Sequence, residues 1–195
     1  ALMRVEGLFE SVDGRLWIQM PFYRRSLRKW AEERAALGLS RTWALELRSV
    51  LLRLCQGIAH LHDNHVVHSD IKPANILVND DGWPILADFD VSVDNEGRKQ
   101  RPFTTTTAAA LPAKGTRGYF APELSTGASA SFKSDAFALG ITIGEAVAIL
   151  QPDATQRPQP LVEMLSALTL QSPDERLCVS AALDHSYFGR LVADD

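Results

Sequence analysis

Two carboxylates, an amide and an amine lie close together in residues 66–90. They are Asp70, Lys72, Asn75 and Asp88. An amide and a carboxylate that face each other offer the hard oxygen ligands that Mg²⁺ prefers, and Asn75 and Asp88 are candidates for such a site. Asp70 is then left to accept a hydroxyl proton, and Lys72 to neutralise charge on a moving phosphoryl group. The set is typical of phosphoryl transfer, in which positioning and electrostatics supply most of the catalysis.

Short strands and a loop are expected to position these groups. The runs VVH, ILVND and WPILADF predict three short strands, and residues 79–82 predict a turn between the last two. This hairpin would bring the end of its second strand back beside the loop that follows VVH. That loop carries Asp70, and loops on a rigid scaffold are where catalytic groups concentrate.

Helices are predicted to form much of the remaining chain. Apolar residues recur every three or four positions from Trp43 to about His62, which predicts an amphipathic helix. The stretch from Ser134 to Leu150 is apolar almost all round, which predicts a buried helix. The other predicted elements are a β-hairpin around 12–14, a short helix capped by Ser26, and helices over 161–170 and 181–188. A few strands followed mostly by helices indicate an α+β fold.

Two stretches are predicted to connect these elements. Residues 94–118 are polar and include four successive threonines, Thr104 to Thr107. A loop of this length is usually functional or mobile. Residues 151–160 contain three prolines and predict a short connector between helices.

Composition limits the classes of protein that this chain fits. Its 195 residues are 46% hydrophobic and 23% charged, with a formal net charge of -4. That balance argues against a nucleic-acid-binding surface. The two cysteines, Cys55 and Cys178, make no disulfide framework and indicate a reducing compartment. Without a membrane-spanning run or a signal peptide in the sequence, we expect an intracellular protein, cytoplasmic or nuclear.

Four motifs in sequence order resemble those of the eukaryotic protein-kinase family. They are HSDIKPANIL, ADFD, GTRGYFAPE and SDAFALG. The resemblance covers essentially the whole chain and implies a protein-kinase-like α+β fold over residues 1–195. Residues 1–23 would be a β-hairpin remnant of the N-lobe with the hinge, and residues 24–195 a mainly helical C-lobe.

The resemblance implies a serine/threonine protein kinase that uses ATP and Mg²⁺ and acts on a protein hydroxyl. Asp70 matches the catalytic base, and Lys72 matches the lysine that contacts the transferred phosphate. Asn75 and Asp88 match the two Mg²⁺ ligands. Lys72 together with Thr116 favours serine or threonine over tyrosine as the acceptor.

Further positions match residues that bind adenine or hold the kinase fold. The adenine-facing set, which comprises the gatekeeper and the hinge, is Met20, Pro21, Phe22 and Tyr23. The structural set is His68, Phe89, Glu123, Asp135 and Arg176. Glu123 and Arg176 are expected to form a buried ion pair, because a buried charge needs its partner.

The sequence departs from the family pattern at three places. No glycine-rich loop precedes the hinge and no lysine occurs before Lys29, so we expect a fragment with half an ATP site, inactive and poorly soluble by itself. Ser69 replaces an arginine that pairs with an activation-loop phosphate, so activity should not require Thr104 to Thr107. Asp90 replaces a glycine, and it should either restrict a flip of the segment or ligate metal.

Two other functions stay open. A pseudokinase or scaffold fits the missing N-lobe and Asp90, whereas a small-molecule phosphotransferase is disfavoured by GTRGYFAPE and Lys72. The acidic residues and Asn75 are also common in turns and caps. Four histidines invite a metal-site interpretation, but a helix C-terminus that favours cations explains the first three better, and packing explains the fourth. They are His60, His62, His65 and His68.

Overall fold

The computed structural model of the protein describes residues 2–38, 43–94, 116 and 118–189. The helices within those residues are α1 (Leu27–Ala36), α2 (Trp43–Asp63), α3 (Pro122–Ser125), α4 (Phe132–Leu150), α5 (Gln159–Leu168) and α6 (Val179–Leu183). The strands are β1 (Gly7–Glu10), β2 (Leu16–Gln19), β3 (Arg25–Ser26), β4 (Val66–Val67), β5 (Ile76–Val78), β6 (Pro84–Leu86) and β7 (Val93–Asp94). Two 3₁₀ turns are present at Pro73–Asn75 and Ala154–Gln156. The predicted α+β fold is confirmed.

Helices α2 and α4 form the centre of the hydrophobic core, and the other long elements pack against them. Leu47, Leu51, Leu54 and Ile58 share one face of α2 and are all buried, as their spacing predicts. Helix α4 is buried almost all round, and both α1 and α5 pack against it. Helix α6 packs against α2. The site therefore rests on helices that the hydrophobic core holds in place.

Serine side chains fix where α1 and α4 begin. Ser26 accepts a hydrogen bond from the Lys29 amide at 3.3 Å, as predicted for the cap of α1. At α4, the Ser131 hydroxyl accepts from the Ser134 amide at 3.2 Å, and the Ser131 amide donates to the Ser134 hydroxyl at 2.9 Å. This reciprocal capping box starts α4 at Phe132, two residues before the predicted start.

The strands of the described residues form three small antiparallel sheets. They pair as β1–β2, β3–β5–β6 and β4–β7. The three strands predicted around the site are present, but the first of them, β4, pairs with β7 and places Val66 opposite Asp94. Strands β5 and β6 form the predicted hairpin, with Ile76 opposite Leu86. Gly82 in its turn has φ +77°, a conformation that glycine adopts without steric cost.

The helix boundaries near the C-terminus differ from the predicted ones. The helix predicted over 181–188 is wrong in extent, because α6 ends at Leu183 and turns follow it. The Phe188 amide donates to the His185 carbonyl at 2.8 Å, which closes one of these tight turns. Helix α5 begins at Gln159 and ends at Leu168, two residues earlier at each end than predicted.

The two connecting stretches are described to different extents. The connector predicted over 151–160 is present but ends at Pro158, because α5 begins at Gln159. Within it the Asp153 carboxylate accepts from the Thr155 amide at 3.0 Å and caps a 3₁₀ turn. Most of the loop predicted over 94–118, including Thr104 to Thr107, lies outside the described residues. No helix in the described part of the chain is long and apolar enough to cross a membrane.

Candidate active site

Asp70 is the centre of a hydrogen-bonded cluster in the loop after β4. Its Oδ2 accepts from Lys72 Nζ at 2.7 Å and from Asn75 Nδ2 at 2.9 Å. Its Oδ1 accepts from the Thr116 amide at 3.2 Å and from the Thr116 hydroxyl at 3.3 Å. Lys72 Nζ also donates to the Thr116 hydroxyl at 2.8 Å. The structure thus brings three predicted residues together, and charge-assisted bonds on both oxygens fix the orientation of the Asp70 carboxylate.

Asn75 is held by the 3₁₀ turn that Pro73 begins and by a backbone bond from Ala87, the residue after β6. Its side-chain amide nitrogen donates to the Asp70 carbonyl at 2.9 Å and to the Asp70 carboxylate at 2.9 Å. Both of its N–H groups are therefore used, and Oδ1 is the atom left for an incoming ligand. The Ala87 amide donates to the Asn75 carbonyl at 2.9 Å. That bond places the next residue, Asp88, beside Asn75 as the hairpin predicts.

Asp88, two residues after the end of β6, adopts a left-handed backbone conformation with φ +66°. Such a conformation is uncommon outside glycine and costs on the order of 1 kcal/mol. Its neighbours in the chain, Ala87 and Phe89, both contact His68, and these contacts hold the Asp88 backbone in this conformation. His68 Nε2 lies 3.1 Å from the Ala87 carbonyl oxygen, and the rings of His68 and Phe89 pack with centroids 4.9 Å apart. Asp88 is exposed, and it directly follows Ala87, whose amide is bonded to the Asn75 carbonyl.

His68 joins the loop after β4 to the end of β6 as a neutral ring. Its Nδ1 accepts from the Asp70 amide at 3.3 Å, so Nε2 must carry the proton that is donated to the Ala87 carbonyl. Burial lowers the pKa of His68 below the ordinary value of 6.5, and this effect outweighs the negative charge of Asp135, which raises it. The packing role predicted for His68 is therefore accompanied by a defined tautomer.

Asp135 clamps the backbone of the loop from α4. The carboxylate is 1% exposed and lies within hydrogen-bond distance of three donors. The His68 amide donates at 2.8 Å, the Ser69 amide donates at 2.9 Å, and His62 Nε2 lies at 3.0 Å. Ser69 has φ +69°, which these bonds hold in place. The contact of His62 was missed by the sequence analysis, since nothing in a helical pattern indicates a partner 73 residues away.

Glu123 and Arg176 form the predicted buried pair. Arg176 Nη1 and Nη2 donate to the two Glu123 carboxylate oxygens at 2.6 Å and 2.9 Å. Burial raises the pKa of the Glu123 carboxyl, but the hydrogen bonds from Arg176 outweigh it, and the pKa lies below its usual value. Arg176 also donates to three backbone carbonyls, so its charge is fully satisfied in the core. The pair fastens α3 to the segment before α6.

Comparison with known proteins identifies the family. The family model described as Protein kinase domain matches residues 1–157. The chain belongs to the protein kinase family. Serine/threonine-protein kinase WNG1 of Toxoplasma gondii is 32% identical over 162 residues, which are 80% of this chain and 23% of that protein. MAP kinase kinase skh1/pek1 of Schizosaccharomyces pombe is 34% identical over 137 residues, which are 68% of this chain and 34% of that protein.

A solved structure supports the kinase fold independently of sequence. The kinase domain of the Toxoplasma gondii specific rhoptry antigen superposes with a TM-score of 0.78 and covers 99% of this chain. The identity is 17%, so the match shows the fold alone, and this chain covers 62% of that one. The kinase-like fold inferred from the motifs is confirmed.

One contact network of this kinase chain was missed by the sequence analysis. Glu145 on α4 accepts a hydrogen bond from the Tyr119 hydroxyl and pairs with Arg28 on α1. Burial, helped by Glu145, raises the pKa of Tyr119 to about 12, so the phenol stays protonated as a donor. The three residues tie the segment after Thr116 to two helices. They are far apart in sequence, and no local pattern predicts their contact.

The predicted hinge residues lie between β2 and β3, apart from the Asp70 cluster. Met20 and Phe22 are 47% and 87% exposed. Pro21 and Tyr23 are half-buried. Hydrogen bonds among the described residues do not connect these four to the cluster. Their role towards adenine therefore stays a prediction.

The donor set at the site fits Mg²⁺. Asn75 Oδ1 and the exposed Asp88 carboxylate are hard oxygen donors, and Mg²⁺ typically takes one or two protein ligands together with phosphates and water. No group of three or more His, Cys, Asp or Glu that could hold a metal is found in the residues that the structure describes.

Proposed function

We propose that the chain supplies the catalytic-loop half of an ATP- and Mg²⁺-dependent serine/threonine protein kinase. The observation that carries the proposal is the Asp70 carboxylate, which Lys72, Asn75 and Thr116 hold in one orientation. A carboxylate fixed in this way is suited to accept the proton of an attacking hydroxyl, which typically contributes a factor of about 10² to 10⁴ in rate.

Each neighbour of Asp70 has a proposed role in positioning the reactants. Lys72 Nζ bridges Asp70 and Thr116, so it brings a positive charge to the place where a phosphoryl group would move. Asn75 Oδ1 and Asp88 would hold Mg²⁺, which neutralises charge on the ATP phosphates when it is bound. Met20, Pro21, Phe22 and Tyr23 would face the adenine.

Serine/threonine specificity is supported by the Lys72–Thr116 contact. This contact, at 2.8 Å, brings the segment around Thr116 against the catalytic loop. The relatives carry mixed specificities in their names, including a tyrosine- and threonine-specific kinase of Caenorhabditis elegans and a dual-specificity kinase of Dictyostelium discoideum. Acceptor preference must therefore be measured on this protein.

Phosphoryl transfer by the natural protein that contains this chain tests the proposal. Transfer of the labelled γ-phosphate of ATP is followed to serine, threonine and tyrosine peptides and to sugars and aminoglycosides. Asp70→Asn should lower transfer at least a hundredfold, because the base is lost while the shape is kept. The matched control is Asp63→Asn, an exposed carboxylate at the end of α2, which should leave the rate within twofold.

The other outcomes identify the alternative functions. Equal rates for Asp70→Asn and Asp63→Asn would exclude Asp70 as the base. ATP binding without transfer to any acceptor would favour a pseudokinase or scaffold. Transfer to a sugar or an aminoglycoside but not to peptides would favour a small-molecule phosphotransferase.

A further inference from the structure

A groove lies on the C-lobe between the start of α2, the start of α5 and the turn after α6. Its volume is about 360 Å³. Small-molecule pockets usually measure about 300–1,000 Å³, so the groove has room for a compact ligand. It shares no lining residue with the cluster around Asp70. The groove is therefore distinct from the proposed kinase site.

The walls of the groove are apolar and are built on regular structure. Leu45 and Leu47 come from the first turns of α2, while Pro160 and Leu161 come from the start of α5. Leu47 and Leu161 are buried and form part of the hydrophobic core, whereas Leu45 is 58% exposed at the rim. Side chains on helices that the core holds give a preformed surface, which binds ligand with little ordering cost.

A single cation lines this apolar groove. Arg48 carries an Nε that is buried and has no hydrogen-bond partner in the residues that the structure describes. Its guanidinium carbon lies 5.6 Å from the centre of the Tyr187 ring. The acidic residue nearest to it on α2, Glu46, is paired instead with Arg34 at 3.0 Å. Burial raises the pKa of Tyr187 to about 12, so its phenol is neutral and does not balance the charge of Arg48.

These observations define the chemistry of a ligand. We propose that the groove binds a small monocarboxylic acid whose apolar body packs against the leucine and proline side chains while its carboxylate pairs with Arg48. A carboxylate matches the planar donor fork of an arginine and would satisfy the buried Nε. A neutral hydrocarbon would leave that donor unpaired, and one arginine does not balance the charge of a polyphosphate.

Octanoate and 1-octanol are suitable probes, because they share one chain and differ in charge. Each is titrated into the same natural protein that is used for the phosphoryl-transfer test, and binding is followed through amide shifts in ¹H–¹⁵N NMR spectra. Octanoate should shift amides around Leu45 and Leu161 and bind at least tenfold more tightly than 1-octanol. This comparison needs no variant, so it stands whether or not a substitution disturbs folding.

Three variants locate the site. Arg48→Gln removes the cation and should reduce the preference for octanoate to less than twofold. Ala44→Phe, at an exposed position that lines the groove, should fill it and weaken both probes at least tenfold. The matched control is Arg53→Gln, which removes another arginine of α2 that packs on Trp83 outside the groove and should change neither affinity by more than twofold.

Three results would overturn the proposal. They are equal affinities for octanoate and 1-octanol, octanoate shifts confined to the exposed apolar residues of β1 and β2, and no saturable octanoate binding at millimolar concentration. Because no step of the test uses ATP or phosphoryl transfer, its outcome is independent of the proposed kinase activity.

Discussion

Two antiparallel hairpins of this protein have nearly the same local design and opposite environments. β1–β2 turns at Asp13-Gly14, where Gly14 has φ +79°, and β5–β6 turns at Asp81-Gly82, where Gly82 has φ +77°. All of β2 is exposed and β1 is largely so, whereas β6 is entirely buried and β5 is nearly so. Only the buried hairpin leads into Asp88. The comparison shows that a turn sequence is enough to form a hairpin, whereas packing against the helical core fixes where that hairpin lies.

The buried hairpin is joined to the site from several directions. Its second strand is followed by Ala87, whose amide bonds to Asn75 and whose carbonyl bonds to His68. β1–β2 has fewer links of this kind in the described structure, although residues just before it reach β6 through the bond from the Met3 amide to the Leu86 carbonyl at 2.8 Å. We therefore expect substitutions in the two hairpins to have unequal effects on stability.

The largest difference is expected for matched isoleucines. Ile76→Ala in β5 should lower the free energy of unfolding by about 3 kcal/mol, because the side chain is fully buried and leaves a cavity. Ile18→Ala in β2, where the side chain is 51% exposed, should cost less than about 1 kcal/mol. Urea unfolding followed by circular dichroism measures both. Equal losses would mean that β1–β2 is buried in solution.

A smaller difference is expected for the two turn glycines. A Cβ at either Gly14 or Gly82 meets no atom within 4 Å, so alanine adds only backbone strain of about 1 kcal/mol. Gly82→Ala should lower the stability of the whole fold by that amount. Gly14→Ala should leave the global unfolding midpoint nearly unchanged, if β1–β2 opens before the core does. A matching loss in both variants would show that the two hairpins unfold together.

The smallest effect is a dependence on pH through His68. Because burial holds the pKa of His68 below 6.5, the unfolded chain binds more protons than the folded one below that pH. The free energy of unfolding is therefore not reduced by His68 above about pH 6.5, and it decreases as the pH falls from there towards the pKa of His68 in the folded protein. Acid should thus weaken the buried hairpin, which His68 contacts through Ala87.

Unfolding free energies at pH 7.5 and pH 5.5 check this expectation. His68→Asn should reduce the loss of stability on acidification. The matched control is the exposed His65, whose φ of 60° asparagine tolerates, and His65→Asn should retain the loss. An unchanged loss in His68→Asn would mean that other groups carry the pH dependence.

Much of the fold and the cluster could be predicted from local patterns. The spacing of Leu47, Leu51 and Leu54 indicates α2, and Asn79 to Gly82 indicates the β5–β6 turn. The loop spacing of Asp70, Lys72 and Asn75 brings these three together, as the structure confirms. These features are set by residues that are close together in the chain, and such residues form patterns that can be recognised in the sequence.

What could not be predicted depends on distant contacts. The bond of His62 to Asp135 and the contacts of Glu145 with Arg28 and Tyr119 join residues that no period relates. The early end of α6 also follows from turn hydrogen bonds rather than from composition. Asp90 could not be interpreted from its type alone, and the structure shows that it does not adopt a positive φ, so the backbone here has no need of glycine.

Amide hydrogen exchange at two matched positions tests most directly whether the core fixes the site. The Ala87 amide donates to the Asn75 carbonyl at 2.9 Å, and the Glu6 amide donates to the Gln19 carbonyl at 2.8 Å, so the two bonds differ little in length. If the core holds the β5–β6 hairpin and the edge that carries Asp88, Ala87 should exchange at least about a thousandfold more slowly than Glu6, relative to unfolded peptides. Protection factors within tenfold of each other would contradict the account, because they would show that local hairpin bonds alone set the rigidity of the site.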